Sequence, residues 1–178
     1  MNDFSCGNMA GGAVTLCPAL SRLKQEHIPL RNQLEQLIQI AQKIGEDASR
    51  EDWREPLREL KEKAVHFEQE LDPHSIREEE FLFPAMAKYI GRETGPIAVM
   101  EYEHEQGKEN LQTFIGKVDQ ATAPVNADEA KNIVSYMIEA YHILIQHFTK
   151  EEHVLFPMAE NILSFEEKDQ LAKKIMTV

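Results

Sequence analysis

Residues 74–86 read HSIREEEFLFPAM and residues 147–159 read HFTKEEHVLFPMA. The histidine, the glutamate four places after it and the proline all recur at an offset of 73 residues. A Glu-His pair precedes each copy, as Glu26-His27 and as Glu103-His104. The chain therefore reads as two copies of one helical hairpin, each supplying a lone histidine and an HxxxE pair. A step of four residues along an α-helix puts both side chains on one face, separated by about 6 Å of rise.

Outward from these stretches, apolar residues step by alternating threes and fours, the period of a helix seam in a bundle. Helix A carries Leu20, Leu23, His27, Leu30, Leu34, Leu37, Ala41 and Ile44, with Gly45 as its C-terminal cap. Helix B, from a start near Ser49 with Pro56 in its first turn, runs Trp53, Leu57, Leu60, Ala64, Phe67, Leu71, His74, Glu78, Phe81 and Ala85. Gly91 and Gly95-Pro96 break the chain before helix C, which shows Ile97, Met100, His104, Gly107, Leu111, Phe114 and Val118. After a turn over 121–125, Asn126 with Glu129 reads as a capping box. Helix D continues through Ile133, Met137, Ala140, Leu144, His147, Glu151, Val154, Met158 and Ile162. Ser164 with Glu167 opens a short last helix. The expected fold is all-α: an antiparallel up-down four-helix bundle over 16–178 with a short C-terminal fifth helix, after a flexible tail over 1–15. Pro29, Pro73 and Pro84 are expected to kink or unwind their helices, since each removes a helical N–H.

Six residues break the apolar seam: His27, His74, Glu78, His104, His147 and Glu151, the histidines one to a helix. Their distances from the hairpin tips agree, which puts all four histidines in one layer. A buried ionised carboxylate costs several kcal/mol unless it is paired or binds a metal. Two seam glutamates, each one turn from an inward histidine, need a common partner, and a pair of cations supplies it. Imidazole and carboxylate donors suit Fe, Mn or Zn.

This pattern resembles the haemerythrin-like family of HHE cation-binding domains over roughly residues 18–160. The resemblance implies that His27, His74, Glu78, His104, His147 and Glu151 are metal ligands, with the two glutamates bridging two iron ions that also share an oxo or hydroxo bridge. Oxygen-carrying haemerythrins typically add a histidine four places after the one on the third helix, where this chain has Lys108. The four-His, two-Glu set is closer to bacterial proteins implicated in repairing iron–sulfur centres and handling nitric oxide. Those proteins commonly carry a cysteine-containing N-terminal domain that this chain lacks. The expected function is a di-iron protein that reacts with or senses O2, NO or peroxide in a stress response. The alternative is an iron carrier, donor or sensor without turnover, and a third is a di-zinc site.

The remaining features exclude other classes. A net charge of −12 with scattered basic residues argues against nucleic acid. No apolar run reaches the ~18 residues that span a bilayer, and the N-terminus has no basic, apolar leader. Cys6 and Cys17 lack CxxC spacing, so a reducing, cytoplasmic setting is the natural reading. A ferritin-like carboxylate site would use Glu101/His104 and Glu139/His142, but needs an inward Glu on each of the other two helices, where His27 and His74 stand. His66 and Glu70 lie one position off the seam. Glu26, Glu79, Glu80, Glu103, Glu105 and Glu152 read mostly as solvated-face charges, one or two of them orienting ligand imidazoles.

Overall fold

A computed structural model describes residues 14–177, and every described element is helical. Cys6 and all but the end of the expected tail lie outside the described residues. The elements are α1 (Pro18–Ala41), α2 (Arg54–Arg77), a π turn (Glu78–Leu82) leading into α3 (Phe83–Ile90), α4 (Pro96–Gln120), α5 (Ala127–Lys150), a second π turn (Glu151–Leu155) leading into α6 (Phe156–Ile162), and α7 (Phe165–Thr177). The long helices pack in a ring, α1 on α2, α2 on α4, α4 on α5 and α5 back on α1, while α7 lies against α1.

Local chemistry sets the boundaries. Helix α1 opens with Pro18, which has no N–H to satisfy, and the Cys17 N–H donates to Glu160 Oε2 at 2.6 Å, tying the start of α1 to α6. The helix ends at Ala41 rather than Ile44, and the chain turns at Gly45 with φ +83. A Cβ at Gly45 would stand 2.7 Å from the Ala127 carbonyl oxygen, so only glycine fits there. Helix α2 begins at Arg54, later than the expected Ser49. Ser49 is held instead in a turn, donating from its backbone N–H (2.9 Å) and its hydroxyl (2.6 Å) to Asp47 Oδ1. The Asn126–Glu129 box caps α5 as expected.

Both π turns follow the repeat, and each begins at a seam glutamate. The Phe83 N–H donates to the Glu78 carbonyl and the Phe156 N–H to the Glu151 carbonyl, five residues back instead of four. The next residue in each case is proline, Pro84 or Pro157, which has no N–H and would clash with the carbonyl four residues earlier in a regular helix. The wider turn relieves that clash. Of the three prolines expected to disturb their helices, Pro84 follows such a turn, whereas Pro29 and Pro73 sit inside continuous α1 and α2. The extra residue also shifts the seam. Beyond the glutamates the buried positions are Leu82, Phe83 and Met86, then Leu155, Phe156 and Ala159. Phe81, Ala85, Met158 and Ile162 are only half-buried and Val154 is exposed, which corrects the regular-helix extrapolation at those sites.

The apolar core has two parts. One runs from Leu30 on α1, through α2 up to Leu71, and includes Leu111, Phe114, Leu144 and Phe148. The other contains Leu20, Leu23, Leu82, Phe83, Ile97, Met100, Leu155 and Phe156, with Leu171 and Ile175 of α7. On α1, α2 and α4 the seam histidine falls in the sequence gap between these two clusters, and on α5 His147 immediately precedes Phe148, the last residue of the first cluster.

Helix α7 is capped reciprocally: Glu167 N–H donates to Ser164 Oγ (3.2 Å) and Ser164 N–H to Glu167 Oε2 (3.0 Å). The Tyr89 hydroxyl also donates to Glu167, at 2.6 Å. The Tyr89 and Ser164 donors lower the Glu167 pKa to about 2 from its ordinary 4.5. The folded value lies below the unfolded one, so this cap contributes fully above about pH 4.5 and is lost as pH falls toward 2. Glu167→Gln is expected to lose less stability than the parent protein between pH 5 and pH 2.5, read from urea midpoints; equal losses would contradict it.

Candidate metal centre

All six seam residues are buried, with His27, His74, Glu78, His147 and Glu151 at 0–1% exposure and His104 at 7%. They form two overlapping groups whose donor atoms lie within 4.8 Å of one another: His27, His74, Glu78 and Glu151, and Glu78, His104, His147 and Glu151. Each histidine belongs to one group and each glutamate to both. Every histidine expected from the sequence is brought in. His66 stays out, with its side chain 67% exposed and paired to Glu70 at 3.2 Å. Cys17 packs against the second apolar cluster, with Leu20 and Leu23, and belongs to neither group.

The imidazoles present Nε2 to the interior. His147 Nε2 is 3.1 Å from Glu151 Oε1, His27 Nε2 3.2 Å from Glu151 Oε2, His74 Nε2 3.4 Å from Glu78 Oε2 and His104 Nε2 3.5 Å from the same oxygen. The two nitrogens His27 Nε2 and His74 Nε2 face each other at 3.1 Å. Neither oxygen of Glu78 or Glu151, nor Nε2 of His104 or His147, has a hydrogen-bond partner among the described residues. Buried polar atoms are rarely left in that condition.

The outward nitrogens are all engaged. His27 Nδ1 pairs with Glu152 at 2.9 Å, His74 Nδ1 with Glu26 at 2.9 Å, His104 Nδ1 with Glu79 at 2.7 Å and His147 Nδ1 with Glu103 at 3.3 Å. With the ring proton donated outward, each Nε2 keeps its lone pair for the interior. Four of the six glutamates read as mostly solvated charges are thus imidazole partners; Glu80 and Glu105 remain exposed. Behind them stand cations: Arg77 lies 2.9 Å from Glu26, Arg31 lies 3.1 Å from Glu152, and Lys150 pairs with Glu103. The arrangement repeats with the sequence, Glu26→His74 matching Glu103→His147 and Glu152→His27 matching Glu79→His104.

Proton affinities record the crowding of charge. Burial disfavours the cationic form of His147, but the Glu151 charge 3.1 Å away and the bond to Glu103 outweigh it and raise the pKa to about 10. His74 and His104 are raised as well, burial again being overcome, chiefly by Glu78 with Glu26 for His74 and by Glu78 and Glu79 for His104. Burial pushes Glu151 up, yet His147 and His27 hold it well below the usual carboxylate range. Positive charge is thus favoured at this layer, and the donor set of four imidazoles and two carboxylates fits a pair of divalent cations.

Aromatic rings wall the layer. Phe148 stacks on His27 with centroids 4.5 Å apart, Phe156 lies 5.6 Å from the same ring, and Phe83 stacks on His104 at 5.8 Å.

Comparison with known proteins agrees with this geometry. The chain is 34% identical over 142 residues to the iron-sulfur cluster repair protein YtfE of Edwardsiella ictaluri, covering 79% of this chain and 62% of that protein. It is 36% identical over 98 residues to the protein of the same name from Salmonella schwarzengrund, covering 54% of this chain and 44% of the relative. The chain therefore spans less than two thirds of the length of these relatives. No solved structure matches it. The model of the Hemerythrin HHE cation binding domain matches residues 19–159, a stretch that contains all six inward side chains, and this chain belongs to that family.

Proposed function

We propose that His27, His74, Glu78, His104, His147 and Glu151 hold two iron ions between the helices of an antiparallel, up-down four-helix bundle, with both glutamates shared between the ions. The observation that carries this is the set of buried, inward-facing atoms without hydrogen-bond partners, four carboxylate oxygens among them, ringed by imidazoles fixed from outside. A structural polar network would join those atoms in hydrogen bonds, whereas the Nε2 and carboxylate atoms stand 3.1–3.5 Å apart and form none. Bound there, iron supplies redox chemistry and positions for a small ligand such as O2, NO or peroxide.

The protein's own residues do the rest. Glu26, Glu79, Glu103 and Glu152 hold the rings in orientation and keep their protons on Nδ1. Phe83, Phe148 and Phe156 keep bulk water from the layer. Likeness to proteins named for iron–sulfur cluster repair supports a role in repairing such centres under oxidative or nitrosative stress.

Protein purified without air is expected to contain about two irons per chain. Near-ultraviolet bands are expected to appear on exposure to air, and the spectrum of the reduced form to change when NO is added. A stoichiometric, colourless metal indifferent to air would replace the redox reading with a di-zinc one, and metal-free protein that takes up no ion would end both.

A further inference from the structure

The two sequence repeats surround the centre with unlike chemistry. A cavity of about 320 Å³ reaches His104, lined also by Ser75, Glu79, Glu101, Glu105 and Lys108. Its counterpart under the repeat, about 310 Å³, reaches His27 and is lined by Lys24, Ile28, Arg31 and Glu152. The two correspond position by position, Lys24 with Glu101, Ile28 with Glu105, Arg31 with Lys108 and Glu152 with Glu79. The His104 side thus carries three carboxylates against one ammonium, and the His27 side two cations against one carboxylate. The partners at the rim leave this contrast intact: Arg92 pairs with Glu101 and Asp72 with Lys108 (2.7 Å), one charge of each sign.

Covering differs too. Phe148 lies over the His27 ring, with the Arg31 guanidinium 5.6 Å from the Phe148 centroid. The residue corresponding to Phe148 is Ser75, and that corresponding to Leu30 is Gly107, which packs so closely on Leu144 that a Cβ would stand 2.8 Å from Leu144 Cδ2. At the inner end of the His104 cavity stands a buried imidazole whose Nε2 has no hydrogen-bond partner.

We propose that divalent cations enter and leave the centre through the cavity beside His104, drawn by its acidic rim, and not through the basic counterpart beside His27. The inference rests on the metal reading of the centre. Its mechanism is steering: a mouth of negative charge raises the local concentration of a dication, and the excess positive charge at the other mouth lowers it. Glu105 is the residue to test, since it lines this cavity, is exposed and makes no side-chain hydrogen bond or ion pair among the described residues.

The experiment follows Co2+ uptake by metal-free protein from its visible bands in a stopped-flow instrument. Glu105→Lys is expected to slow uptake about fivefold at low ionic strength, the gap closing to within about twofold in roughly 0.5 M salt. The Co2+ finally bound is expected to be unchanged, and Lys24→Glu to leave the rate within about twofold of the parent. Uptake indifferent to Glu105→Lys, or governed by Lys24→Glu, overturns the route alone. Parent protein that takes up no Co2+ overturns the centre and the route together.

Discussion

Glu151→Ala is expected to reduce bound iron from about two ions per chain to well under one, and Glu78→Ala to do the same, whereas His27→Ala retains close to one. The asymmetry follows from membership. Each glutamate belongs to both donor groups, while His27 and His74 serve only one and His104 and His147 only the other. Removing a shared carboxylate takes a donor and a negative charge from both positions at once. Removing His27 leaves the group of Glu78, His104, His147 and Glu151 whole. Elemental analysis of protein loaded without air reads the outcome, with Glu80→Ala as the control, because Glu80 is exposed and lies two residues from Glu78. Circular dichroism separates loss of metal from loss of fold. The fold of these variants is expected to survive, since each substitution removes a buried carboxylate that has no hydrogen-bond partner among the described residues. Equal iron loss in the histidine and glutamate variants would argue that the glutamates are not shared.

Much of this cluster is legible in the sequence. The four histidines and two glutamates interrupt an otherwise apolar seam, and the structure buries all six together. Two things were not legible from periodicity. A regular 3.6-residue period beyond Glu78 and Glu151 places Phe81 and Val154 inward, where the structure has Leu82 and Leu155. The π turns cause this, and their sequence signal was the recurring proline six places after each glutamate. The second is the outer ring of carboxylates. Glu26, Glu79, Glu103 and Glu152 each neighbour an inward residue, and one step along a helix rotates a side chain by about 100°, onto what reads as a solvated face. In a bundle that flank faces the adjacent helix. The repeat held the clue, for these four glutamates recur in both copies, whereas Glu80 aligns with His153 and Glu105 with Ile28.

That outer ring yields the second large effect. Glu26→Gln, Glu103→Gln and Glu152→Gln are each expected to weaken metal binding by about 10- to 100-fold without abolishing it, and Glu79→Gln by less. A carboxylate behind Nδ1–H fixes the ring, holds the proton on the outer nitrogen and makes Nε2 a better donor. Glutamine keeps an acceptor oxygen but gives up the charge. The grading comes from anchorage. Burial disfavours the Glu26 carboxylate, but hydrogen bonds from His74 and Arg77 hold its pKa at about 2, so it stays charged throughout the working range. Lys150 and Arg31 pair with Glu103 and Glu152, and the side chains of Glu26, Glu103 and Glu152 are only 15–21% exposed. Glu79 is 42% exposed, and Lys108, the residue corresponding to Arg31, pairs with Asp72 instead. Solvent therefore screens the Glu79–His104 interaction most, and its loss matters least. Competition against a chelator of known affinity measures all four. Unchanged affinity throughout would show that the carboxylates serve folding alone, and losses as deep as that of Glu151→Ala would show that they enter the donor set themselves. The intermediate range is the signature of groups that act on the metal through an imidazole.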